Sequence, residues 1–280
     1  MKIHISNISR QTVGGGWTFI RNFKKALEGK AFFVDKWEEA DIIFLAGVSM
    51  INKGEVKAAD KAGKPIVLRV DNIPRKSRAK RSTPHERLKE FADIATVVIY
   101  QSEWAKNYCG PLCGDGTIIY NGVDKNIFYP PKDKPNRDRY LFAYHGSSEL
   151  KCFWQAHYYY QMYHRIDPDS EFWFIYDFGK ALDNYKDSNF DFWQGEKYQH
   201  LPRAETAEQM SDIMRQCTHL IFPSFGDASP NTVLEAMACG LKVLNTDFLG
   251  GTRELLNLED VSIERMGEEY LGVFKLLLEG

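Results

Sequence analysis

Two carboxylates, Asp227 and Glu235, bracket a Ser-Pro-Asn-Thr stretch (229–232) whose composition is that of a helix start. Ser229 has the side-chain acceptor of an N-cap. Pro230 suits a first helical position, where its missing N–H costs nothing, and Gly240 suits a left-handed helix end. The start of a helix presents free N–H groups and about half a positive charge, which is a ready site for phosphate. Gly226, just ahead of it, lets the backbone approach a ligand closely. Ala228, Ser229, Pro230, Asn231 and Thr232 would then line the phosphate. Glu235 stands three and four residues beyond Thr232 and Asn231. Helical side chains lean toward the N-terminus, so its carboxylate points back to the helix start. No Lys or Arg lies three or four positions from Glu235. With Asp227 and Glu235 as hydroxyl acceptors on either side of a phosphate, the stretch fits a nucleoside diphosphate sugar. The bland alternative is a solvated helix glutamate and a turn-forming aspartate.

The elements that must hold these residues follow from periodicity. Short apolar runs at 219–223 and 241–245 flank the stretch, which makes it the turn and helix of a strand-turn-helix-strand unit. Val233, Leu234, Met237, Ala238 and Leu241 recur at helical spacing and form the face that packs on a sheet. In the first half, strands are expected at 2–6, 31–35, 42–46, 65–70 and 96–100, with amphipathic helices between them. A second set is expected at 140–145, 172–176, 190–194, 219–223 and 241–245. Such alternation predicts α/β units with parallel sheets, which bind ligands beyond the carboxyl ends of their strands. The proline-containing, charged stretch 130–136 reads as a linker. The expected domains are therefore 1–131 and 132–280, with the final helix able to pack back on the first.

Two loops follow strand ends in the first half. One, 7–17, contains Gly14, Gly15 and Gly16; the other begins at Asp71 and runs into the basic residues Arg75, Lys76, Arg78, Lys80 and Arg81. The triple glycine lacks the spacing of a dinucleotide fingerprint, since seven residues separate it from the strand and Phe19 stands where a third glycine belongs. The basic run has no interleaved aromatics to stack on bases, so it speaks for a solvated loop or for attraction of an anionic acceptor or membrane surface, not for nucleic acid. Trp154, Tyr158, Tyr159, Tyr160 and Tyr163 read as one helix packing on the second sheet.

A chain of 280 residues with 44% hydrophobic and 26% charged residues and a formal net charge of -2 is an ordinary globular composition. It contains no apolar run of membrane-spanning length, and its first residues have a strand pattern where a signal peptide would be apolar. Five cysteines point to free thiols in a reducing compartment, so the expectation is a cytoplasmic protein. Cys109 and Cys113 lack further ligands in sequence, and no metal site is expected.

The pattern Pro223-Ser224, Asp227, then Glu235-Ala236-Met237-Ala238-Cys239-Gly240, and later Gly250-Gly251 and Glu254, resembles the donor site of family 4 of the retaining GT-B glycosyltransferases. The resemblance implies two Rossmann-like domains facing a central cleft and transfer from a UDP- or GDP-sugar to a glycan, lipid or protein-linked acceptor. It implies retention of configuration, with no metal and no cofactor beyond the donor itself. Glu235 would take the ribose hydroxyls and Asp227 the transferred sugar, although the family usually has Glu at the latter position. Lys151 matches the lysine that binds the donor diphosphate. The partner arginine has no counterpart: Ser147 and Ser148 stand there, with hydroxyls able to donate to phosphate. The loop carrying Gly15 and Gly16 would close over the donor phosphates. Asp71 and Asn72 occupy the region where many members carry a sugar-binding His. The stretch 118–124 resembles the family's interdomain segment. Two other readings stay open: a nucleotide-sugar epimerase of the same architecture, and a non-catalytic nucleotide-sugar-binding module.

Overall fold

The computed structural model describes residues 1–6, 15–71, 73, 84–144, 151–177, 197–244 and 250–279. They form two α/β units, the first comprising Met1–Val123, Asp227–Asn231 and Asn257–Gly280, the second Asp124–Gly226 and Thr232–Leu256.

The first unit carries a parallel sheet of β1 (Lys2–Ile5), β2 (Phe32–Phe33), β3 (Ile42–Leu45), β4 (Ile66–Val70), β5 (Val97–Tyr100) and β6 (Thr117–Ile118), ordered β2-β1-β3-β4-β5-β6. Side chains alternate across it, as strand geometry requires. Ile42, Phe44 and Val67 enter one core with Phe19 and Phe23 of α1 (Gly15–Ala26). Ile43, Leu45, Ile66 and Leu68 enter the other, beneath α2 (Lys53–Lys61), α3 (Pro84–Ala92) and α4 (Glu103–Cys113). The expected strand at 31–35 shrinks to two residues at the sheet edge, where Phe32 is 73% exposed. β6 lies beyond the strands expected from sequence; at two residues it is too short for an alternation to register. Cys109 and Cys113, one turn apart on α4, face the core, and burial pushes their thiols up to about 12 and about 11.

In the second unit β7 (Arg139–Ala143), β8 (Glu171–Ile175), β9 (Tyr198–His200), β10 (His219–Ile221) and β11 (Lys242–Leu244) form a parallel sheet ordered β11-β10-β7-β8-β9. The strand expected at 190–194 falls outside the described residues. On the sheet packs α5 (Phe153–Ile166); the other helices that follow in sequence are α6 (Ala207–Arg215), α7 (Asn231–Ala238) and α8 (Thr252–Leu255). The aromatic residues of α5 divide. Tyr160 is fully buried and stacks on Phe172 at 5.0 Å, and Tyr159 and Tyr163 pack at the core margin. Trp154 and Tyr158 are exposed instead of packing on the sheet, because they lie on the far side of the helix from Tyr160.

The last helix, α9 (Ile263–Glu279), belongs to the first unit. Its buried residues Ile263, Met266, Gly267, Tyr270, Leu271 and Phe274 follow an amphipathic stripe. They close the core over α1, with Phe23 held 4.6 Å from Phe44 and 5.0 Å from Tyr270. Its start also fixes the segment after β6: Ile263 N–H donates to Val123 O, and Arg265 donates to Tyr120 O and Asn121 O at 3.0 and 2.7 Å. Among the described residues no helix is long and apolar enough to cross a membrane.

Candidate functional site

In the second sheet β8 and β9 extend from β7 to one side, and β10 and β11 extend to the other. The order therefore reverses between β7 and β10, and it is beyond the carboxyl ends of the strands at such a point that parallel sheets bind ligands. Lys151 stands there. Its ammonium lies 5.3 Å from the centre of the Tyr144 ring, just past β7, and 5.7 Å from that of Phe222, just past β10.

The turn following β10 leads from that strand end into α7. Ser224 and Gly226 are buried, and Gly226 adopts a φ of 71°, a left-handed conformation that a β-carbon would disfavour. The glycine is thus required by the turn itself. Helix α7 ends as its sequence predicts. Gly240, at φ 81°, donates to Met237 O at 2.9 Å, and Leu241 N–H reaches back to Ala236 O at 3.0 Å. This pair of bonds satisfies the last carbonyls.

The helix start differs from expectation. The first helical residue is Asn231, one later than Pro230. Ser229 does not cap it: its Oγ is buried and has no hydrogen-bond partner among the described residues. With Pro230 occupying the cap position, Ser229 sits one residue too early for its oxygen to reach the free N–H groups. Ala228 is buried, at 4% exposed, so little of it is open to a ligand. Asp227, Pro230, Asn231, Thr232 and Glu235 are half-buried.

Gly15 and Gly16 also differ from expectation, being the first two residues of α1 and not part of a loop. The structure brings one of them to the helix start, since Asn231 Nδ2 lies 3.4 Å from Gly15 O. Ser147, Ser148 and the basic run 75–81 lie outside the described residues.

Sequence reasoning missed the charged group behind this helix start. Arg69 in β4 is 2% exposed and points to the same side as Val67, where an apolar residue is the rule. Its guanidinium lies 3.6 Å from the centre of the Phe19 ring and donates to Ala46 O at 2.9 Å, Gln101 Oε1 at 2.6 Å and Asn121 Oδ1 at 2.9 Å. A buried charge requires such partners. Burial pulls its pKa below the usual range, while Tyr270 and Asp71 oppose that shift. Asn121 in turn donates to Ser229 O at 3.3 Å and Asn231 Oδ1 at 2.9 Å. The legible signal was an arginine at an inward register position inside the run Ile66-Val67-Leu68-Arg69-Val70.

Residues 187–265 match the family described as Glycosyl transferases group 1. No curated protein sequence matches the chain. Among solved structures, Anabaena Alr3699/HepE in complex with UDP is 15% identical over 98% of this chain and 90% of its own, with a TM-score of 0.70. The same protein has also been solved in complex with UDP-glucose. Sucrose-phosphate synthase from Thermosynechococcus elongatus is 11% identical over 99% of both chains, with a TM-score of 0.68. A glycosyltransferase from Rickettsia africae is 13% identical over 99% of this chain and 88% of its own, with a TM-score of 0.63. Residues 187–265 thus resemble glycosyl transferases group 1, and the chain shares the GT-B fold of these structures.

Proposed function

We propose that this chain is a retaining glycosyltransferase of family 4. It moves a hexose from a UDP- or GDP-sugar to a glycan, lipid or protein-linked acceptor in the cytoplasm, without a metal. The observation that carries the reading is the convergence of Lys151 and the Gly226 turn on the carboxyl ends of β7 and β10, where the second sheet reverses its order. A cation beside a turn that enters a helix suits a diphosphate. The complexes of Anabaena Alr3699/HepE with UDP and UDP-glucose support a nucleotide sugar as the ligand.

In this reading the C-terminal domain holds the donor and the N-terminal domain serves the acceptor, with the division near residue 131. Glu235 accepts from the ribose hydroxyls and Asp227 from the hydroxyls of the sugar. The α7 start, with Ala228, Ser229, Pro230, Asn231 and Thr232, meets the phosphates, as do Ser147, Ser148, Gly15 and Gly16. As the glycosidic bond opens, charge grows on the diphosphate. Lys151 and the helix start stabilise it most at that point, which speeds the step. The acceptor attacks on the face from which the diphosphate leaves, and the departing phosphate takes the acceptor proton.

The test is a thermal-shift screen of UDP-, GDP- and ADP-sugars followed by product analysis with donor alone. One nucleotide sugar should raise the Tm and be slowly hydrolysed. Conversion to an epimeric nucleotide sugar would replace the transferase reading by an epimerase. Binding with neither transfer nor hydrolysis would leave a binding module.

A further inference from the structure

We propose that Arg69, Gln101 and Asn121 are positioning residues that set the segment Ser229–Asn231, which opens α7, a role that rests on the donor-site reading only in its final step. Arginine can only donate hydrogen bonds. Both amide oxygens beside it must therefore face the guanidinium, as Gln101 Oε1 and Asn121 Oδ1 do. Gln101 then turns its NH2 to Val70 O at 2.8 Å. Asn121 turns its own NH2 outward, shared between Gln101 Oε1 at 3.1 Å, Ser229 O at 3.3 Å and Asn231 Oδ1 at 2.9 Å. With its oxygen so engaged, Asn231 directs its NH2 to Gly15 O. One buried charge thus fixes the sense of every amide in a chain that runs from β4 to the first residue of α7. Arg69, Gln101 and Asn121 are 2%, 2% and 4% exposed, so water does not compete for the bonds among these three. The backbone carrying Asn121 is itself gripped by Arg265.

The consequence is a division of labour. Asn121 holds the Ser229 carbonyl and the Asn231 side chain, which orients the free N–H groups behind them toward the phosphates. None of the three buried residues touches the donor.

Asn121→Asp separates this role from plain stability. The carboxylate still accepts from Arg69, and Gln101 Oε1 keeps its own bond from Arg69, but the second carboxylate oxygen cannot donate to Gln101 Oε1, Ser229 O or Asn231 Oδ1. Hydrogen exchange of the ligand-free protein should quicken in peptides spanning 227–238 and stay unchanged in the two sheets, with Tm shifted by only a few degrees. Donor KM should rise roughly tenfold, the worth of one or two hydrogen bonds, with kcat changed less. Asn231→Ala, which leaves the Arg69 cluster intact, should quicken exchange in the same peptides if Asn121→Asp fails to fold. Unchanged exchange in 227–238 would overturn the positioning role. Faster exchange with wild-type donor KM would overturn its link to the donor. A wild-type chain that turns over no nucleotide sugar would refute the transferase reading instead, and the exchange experiment alone would then decide the positioning.

Discussion

Replacing Lys151 with Ala should separate stability from rate. The folded state loses an ammonium near two aromatic faces at 5.3 and 5.7 Å. At about 0.5–1 kcal/mol for each such contact, the stability cost is about 1–2 kcal/mol, or roughly 2–8 °C in Tm for a domain of this size. The catalytic cost should be larger. Removing one preorganised group that meets developing charge lowers kcat by about 10²- to 10³-fold, or about 2.7–4 kcal/mol. The part of Lys151 that acts on the ground-state diphosphate is smaller, so the Kd of the nucleoside diphosphate should weaken by less than kcat falls. The assay is slow donor hydrolysis followed by diphosphate release at a temperature well below the variant's Tm, with Kd from calorimetry. Wild-type turnover per folded molecule would refute the assignment. So would a Kd loss as large as the kcat loss, because Lys151 would then bind ground state and transition state alike.

Glu235→Gln should weaken free nucleoside diphosphate by about 1.5–3 kcal/mol, roughly 10- to 150-fold. Asp227→Asn should spare that ligand and weaken only the intact donor, as calorimetry with each will show. Asp227→Glu restores the usual family residue and should cost activity or change sugar preference if the shorter side chain is matched to this donor, which a donor-panel rate assay reads. His157, in α5, is 7% exposed, and burial lowers its imidazole from 6.5 to about 4. It folds neutral while the unfolded chain takes up the proton first. Unfolding free energy should therefore fall as pH drops from about 6.5 toward 4, by about 2 kcal/mol at pH 5. Denaturant titrations at pH 7 and pH 5 will measure this, and His157→Phe should remove that contribution to the slope.

The sequence showed the parallel α/β units and the α7 motif because those depend on local patterns. Apolar runs mark β3, β4, β5, β7 and β8, and Gly240 marks a helix end through a conformation that only glycine adopts readily. The strand Phe32–Phe33 is shorter than its apolar run suggests, because such a run does not reveal that a strand lies at a sheet edge. Ser229 looks like a cap in sequence but lies one residue too early, because composition marks a helix start only to within a residue or so. The switch point between β7 and β10 is a property of strand order, which no local pattern contains. The Arg69 network joins positions 69, 101, 121 and 231, and its only local trace is a charge at an inward strand position.

The most direct test of the account is proton NMR of the protein incubated with its preferred nucleotide sugar and no acceptor. A retaining transferase should release nucleoside diphosphate together with free sugar whose first-formed anomer has the configuration of the donor, and Lys151→Ala should lose that release. First formation of the opposite anomer would contradict retention. An epimerised nucleotide sugar, or a bound donor that stays intact, would contradict the transferase itself.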